Sequence, residues 1–228
     1  MKQIFNNETK VQQPFKQAAV LRPYSALCDP HSGTWSLTRC TGIPEAGGFV
    51  GVNGVKNSVE TAAANLGRAA LEAGYQQFTL LYNPSDGLLA DLAESRLDVF
   101  GWGSAAAQQL ADMLQAPLRN GVSVMLVGHS QGGAIVNMGL ARLAAAGVKA
   151  SRLTVCAFGA PIPRRSFADN VARVNATLGY FKVNDFDAVA TLIGRNAIGP
   201  RSVLGSIVRV PLLFTKTFSA HGSYNYFP

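Results

Sequence analysis

Ser123-Val124-Met125-Leu126-Val127-Gly128-His129-Ser130-Gln131-Gly132-Gly133 decides how this chain is read. Val122 to Val127 is its most strongly β-like run, and Gln131 to Ala146 has the small and apolar residues of a helix. Between them stands G-x-S-x-G, at Gly128, Ser130 and Gly132. Those letters alone are weak evidence. A strand before and a helix after give them weight, because a sharp strand-to-helix turn lifts a serine hydroxyl above the sheet edge while glycines remove side-chain clashes. The plainer alternative is a glycine-rich turn whose serine caps a helix.

Upstream, Gly48 to Gly54 reads as an apolar strand entering a turn, and Asn57 with Glu60 has the spacing of a capping box before a helix over Thr61 to Ala73. Gln77 to Tyr82 reads as a strand stopped by Asn83-Pro84-Ser85-Asp86-Gly87. Leu88, Leu92, Ser95 and Val99 share a helical face, either of a packed helix or of a mobile cover. Ser104 to Ala116 predicts a helix ending near Pro117.

Downstream, Leu153 to Ala157 predicts a strand reaching the turn Gly159-Ala160-Pro161, and Tyr180 to Val183 another. Asp187 to Ile193 can begin a helix, and Ile207 to Val210 can return to the sheet before Pro211. The alternation predicts an α/β domain with a mainly parallel central sheet and helices on both faces. Residues 1–46, with Pro14, Pro23, Pro30 and Pro44, show no period and are expected to form an irregular N-terminal extension. Residues 47–228 are expected to form one catalytic domain.

A length of 228 residues suits one domain with a sizeable core, and 48% apolar against 14% charged residues excludes disorder as the dominant state. The net charge of +7 is unevenly placed: residues 131–228 hold eleven Lys/Arg against only Asp169, Asp185 and Asp187. Such a region attracts anionic partners, or simply forms a solvated basic face. Nucleic-acid binding would rest on charge alone, since basic and aromatic residues do not interleave. Cys28, Cys40 and Cys156 make neither a disulfide scaffold nor a zinc-spaced cluster, and they are expected to be free thiols. Met1 to Lys10 lacks the apolar core of a secretory signal, and no stretch reaches the roughly 18 apolar residues of a membrane span.

Serine is a poor nucleophile until a base takes its proton, and the chain offers His31, His129 and His221. His129 lies inside the elbow and His31 in the lead-in, so His221, in the loop-like string Ser219-Ala220-His221-Gly222-Ser223-Tyr224, is the expected base. Between Ser130 and His221 the only carboxylates are Asp169, Asp185 and Asp187. Asp169 suits a solvated connection or a helix start; Asp187 is the preferred orienting acid, with Asp185 as its alternative, since both follow a strand. The backbone N–H of Gln131 would face a developing oxyanion. A second donor is expected in the first strand-to-helix loop near Gly54, with Val55 the chosen residue. No metal or cofactor is required.

The order Ser130, Asp187, His221, with these motifs, resembles serine lipases and esterases of the α/β-hydrolase fold over residues 48–225. Phe158-Gly159-Ala160-Pro161 looks like the strand-end segment after the elbow helix in such lipases. Asp187-Ala188-Val189 resembles their Asp-Pro-Val motif, with Ala188 replacing proline. Val52-Asn53-Gly54-Val55 with Asn57, Tyr82-Asn83-Pro84-Ser85, and the elbow itself look like spaced blocks of lipase-like domains in bacterial secreted effectors and polymorphic toxins. That resemblance implies a bacterial protein secreted without a signal peptide, or else cytoplasmic, with a lipid or phospholipid ester as substrate and an inhibitory or delivery protein as partner.

Between Arg201 and Lys216, apolar residues from Val203 to Phe214 alternate with Arg209. They can line an acyl site, touch an anionic membrane peripherally, or form a core strand. A thioesterase or peptidase would use the same triad. A non-catalytic binding protein of the same fold would need misplaced site residues.

Overall fold

The computed structural model describes residues 21–54, 57–84 and 104–182. In chain order these form β1 (Arg22–Cys28), β2 (Trp35–Arg39), β3 (Gly48–Val52), α1 (Val59–Glu72), β4 (Gln77–Tyr82), α2 (Ser104–Arg119), β5 (Val124–His129), α3 (Gln131–Ala145), β6 (Leu153–Phe158), α4 (Arg164–Arg173) and β7 (Thr177–Lys182). The strands make one sheet in the order β2-β1-β4-β3-β5-β6-β7. From β4 to β7 all neighbours are parallel, and β1 runs antiparallel to both β2 and β4.

Each central strand is buried on both faces, which is why it reads as an apolar run. Alternation splits β3 cleanly. Val50 and Val52 pack with α2, α3 and α4 through Leu110, Leu114, Ile135, Leu140 and Phe167. Phe49 packs on the other face with Leu66 of α1 and Phe78 of β4, under Trp35. Helices therefore cover both faces, and the architecture is that of an α/β-hydrolase. Gly51 lets α1 approach closely, since a Cβ there would lie 2.9 Å from Leu66 Cδ1.

Strand order reverses at β3, which has β4 on one side and β5 on the other. In open α/β sheets the crevice outside the carboxyl ends of strands at such a switch is where ligands bind. Gly54 follows β3 and Ser130 follows β5, so the geometry delivers both to that crevice.

Several expectations need correction. Residues 22–39, expected to be irregular, form a β-hairpin that completes the sheet. Pro23 obscured it. The proline, in register with Leu81 of β4, is accommodated because its carbonyl accepts from Cys40 N–H on the β2 side, so its missing N–H also faces that side, where the register ends at Tyr24 opposite Arg39. The cap of α1 is Ser58, whose hydroxyl accepts from the Thr61 N–H at 3.2 Å, rather than Asn57. That hydroxyl, after the Glu60 backbone N–H, holds the Glu60 carboxyl below its ordinary range. Helix α2 runs through Pro117 to Arg119. Asp169 lies within α4, exposed and 4.0 Å from Arg165. The segment containing Leu88 to Val99 lies outside the described residues, as do residues 183–228.

The three cysteines are free thiols. Cys28 lies opposite Trp35, while the Cys40 N–H donates to Pro23 O. The two cysteines therefore sit at opposite ends of the hairpin, about 17 Å apart at strand rise, well beyond the roughly 7 Å a disulfide spans. Burial pushes the Cys156 thiol up from its ordinary value. Mild alkylation of the native protein is expected to label Cys40 first and Cys156 only on unfolding, as read by mass spectrometry of the peptides.

Candidate active site

Ser130 joins β5 directly to α3 with φ +57° and ψ −127°. A side chain rarely adopts that backbone, and it persists only where the surroundings enforce it. The turn is enforced from three sides by glycines. A Cβ on Gly128 would meet Gly133 Cα at 2.6 Å, and one on Gly133 would meet Ala160 Cβ at 2.5 Å. On Gly132 a Cβ would come within 2.2 Å of the Val52 carbonyl oxygen, so β3 and α3 touch backbone to backbone. Ser130 makes no side-chain capping bond to its helix, which removes the plainer reading of the motif. Its N–H donates to Phe158 O at 2.8 Å, tying the elbow to the end of β6.

Gly54 lies against the serine: a Cβ there would be 2.4 Å from Ser130 Cβ and 2.9 Å from Oγ. The loop after β3 thus borders the hydroxyl, while Val55, the expected second oxyanion donor, lies outside the described residues. Gln131 is the first residue of α3, so its N–H stands at the positive end of the helix.

A buried polar chain missed by sequence reasoning supports this corner. Asn53, Asn83 and Gln131 are 1%, 4% and 3% exposed. Asn53 Nδ2 donates to the Asn83 carbonyl at 3.1 Å and to the Gly54 carbonyl at 2.7 Å, and the Asn83 N–H donates to Asn53 Oδ1 at 2.5 Å. Asn83 Nδ2 then donates to Gln131 Oε1 at 2.7 Å. The signal was present: two apolar strands each end in Asn. Alone, each Asn reads as a turn residue.

The topology sorts the remaining candidates. His31 is exposed in the β1–β2 turn, which adjoins the start of β4 because Cys28 N–H donates to Gln76 O at 2.9 Å. That is the opposite edge of the sheet from Ser130, so His31 is excluded. His129 is buried at the end of β5. The chain leaves β7 at Lys182, which pairs with Phe158 on the serine's edge. Asp185 and Asp187 follow within five residues of that exit, and both, with His221, lie outside the described residues.

A mainly parallel sheet with a strained serine on a strand-to-helix elbow at its carboxyl edge defines an α/β-hydrolase. The sequence profile of the class 3 lipases matches residues 55–196. The chain belongs to that family. No curated protein matches it. Among solved structures, matches include the type II thioesterase YbtT of the yersiniabactin pathway, in mutant form, at 16% identity and TM-score 0.35, covering 54% of this chain. This chain spans 46% of that thioesterase. A dienelactone hydrolase-like promiscuous phosphotriesterase from metagenomic libraries matches at 17% identity and TM-score 0.36, over 86% of this chain and 99% of its own. A Legionella pneumophila protein matches at 17% identity and TM-score 0.28, over 88% of this chain and 66% of its own.

Proposed function

We propose that the protein hydrolyses carboxylic esters of lipids or phospholipids through a Ser130-Asp187-His221 triad. The observation that carries this reading is the strained backbone of Ser130 on its elbow, bordered by Gly54. His221 takes the proton of Ser130 Oγ as the oxygen bonds to the ester carbon, and the carbonyl electron pair moves onto its oxygen. The N–H of Gln131 and a second donor at Val55 hold that oxyanion. Collapse breaks the ester C–O bond, and the imidazolium returns the proton to the departing alcohol. Water then repeats the sequence and releases the carboxylic acid, with Asp187 steadying the imidazolium in both halves.

Membership of the class 3 lipases supports the lipid substrate. The placement of Arg164 and Arg165 at the start of α4, after β6, and of Lys182 as the last residue of β7 supports contact with an anionic lipid surface. Charge there favours negative headgroups, though less so at high salt.

The test is fatty-acid release from vesicles mixing phosphatidylglycerol and phosphatidylethanolamine. Release is expected from the parent and absent from folded Ser130→Ala. Asp187→Asn is expected to lose about 10³- to 10⁴-fold in rate, and Asp185→Asn to stay within about threefold of the parent. The reverse ranking would move the acid to Asp185. A folded parent that releases nothing would overturn the lipid assignment.

A further inference from the structure

We propose that Asn83 is a positioning residue that holds the two oxyanion-binding elements in register. The inference rests on the serine-hydrolase reading above. An oxyanion site of this kind draws one donor from the start of α3 and another from the loop after β3, and neither element alone sets the distance between them. Asn83, at the end of β4, is bonded to both. Its side-chain Nδ2 donates to Gln131 Oε1 at 2.7 Å, on the residue whose N–H faces the oxyanion. Its backbone N–H and C=O are both taken by the Asn53 side chain, which also holds the carbonyl of Gly54.

The preceding residue acts on the same loop. Tyr82 OH donates to the Asn57 carbonyl at 2.8 Å. Burial raises the Tyr82 pKa, so the phenol remains a donor through neutral pH. Tyr82, the last residue of β4, and Asn83 just after it thus grip the loop at Asn57 and at Asn53. The loop has little room to drift without consequence, because Gly54 is already in contact with Ser130. Donors aimed at a transition-state oxyanion act through fixed placement, so a shift of well under an ångström lowers turnover while leaving ground-state binding nearly unchanged.

The experiment compares the parent with Asn83→Leu, which keeps the backbone bonds but removes the donor to Gln131, and with Tyr82→Phe. Folding is checked by circular dichroism and thermal melting. Hydrolysis of p-nitrophenyl butyrate and the rate of Ser130 phosphonylation by a p-nitrophenyl phosphonate are then measured. In folded Asn83→Leu, kcat is expected to fall about 10- to 100-fold with KM within about threefold, and phosphonylation to slow in parallel because it passes through the same oxyanion. Tyr82→Phe is expected to lose about 3- to 10-fold in kcat. A merely structural role would lower the melting temperature and leave both rates alone.

Folded Asn83→Leu with kcat within about twofold of the parent, or with a change in KM only, overturns the proposal. Where Asn83→Leu does not fold, Tyr82→Phe decides on the same criteria. A parent that neither hydrolyses the ester nor is phosphonylated at Ser130 removes the underlying reading and the proposal with it. An active, labelled parent beside an unaffected variant removes the proposal alone.

Discussion

Replacing Ser130 by glycine is expected to abolish ester turnover, by on the order of 10⁴-fold or more, while stabilising the fold by about 1 kcal/mol. The activity loss follows from removing the oxygen that would bond to the acyl group. The gain in stability follows from the backbone, since φ +57° with ψ −127° is a conformation that glycine adopts without penalty and serine does not. Glycine also has more freedom to lose on folding, so only part of the relief survives as net stability. Ser130→Ala is expected to be equally inactive without that gain, because its Cβ keeps the strain. Urea unfolding of the three proteins, beside ester kinetics, checks both halves. A glycine variant less stable than the alanine variant would show that the elbow carries no strain worth relieving.

Gly132→Ala is expected to cost about 3 kcal/mol or more, and activity with it. The added methyl would meet two backbone oxygens, of Val52 at 2.2 Å and Asn53 at 2.6 Å. One belongs to the last residue of β3 and the other to the residue after it, in the middle of the sheet, and neither can swing aside like a side chain. Relief requires α3 to lift from β3, which carries the Gln131 N–H away from Gly54. Gly42→Ala is the matching control. It has open space around the position and is expected to stay within about 0.5 kcal/mol of the parent. Denaturant midpoints of the two variants test the contrast, and equal midpoints would contradict the close approach.

The elbow was legible in the sequence because its signals are local. The strand, the tight turn and the helix lie in one continuous string, and each glycine in it now has a steric reason. The same holds for β3, β4 and β6, whose apolar runs report burial on both faces. The β1–β2 hairpin was not legible, since Pro23 and the uneven burial of β1 speak against a strand until β4, more than fifty residues later, supplies a partner. Ser58 was passed over as cap because its neighbour Asn57 fits the same pattern one residue early. In the site, Ser130, Gln131 and Gly54 could be named from the motif and the expected topology. Asn53 and Asn83 stand in the blocks that carry the family resemblance, but they could not be given a role, because it exists only once two strand ends lie side by side. Asp187 and His221 rest on chain order and on the exit of β7 at the right edge.

The antiparallel hairpin at the beginning of the sheet also bears on what this chain can do without. Trimming the protein to residues 47–228 would take away both strands and leave β4 as the border of the sheet, its main-chain amides and carbonyls on that side no longer bonded to β1. An apolar strand with an open row of such groups is a template on which a strand from another molecule can add. The first forty-six residues thus include the part of the protein that keeps the apolar β4 from becoming an open border of the sheet.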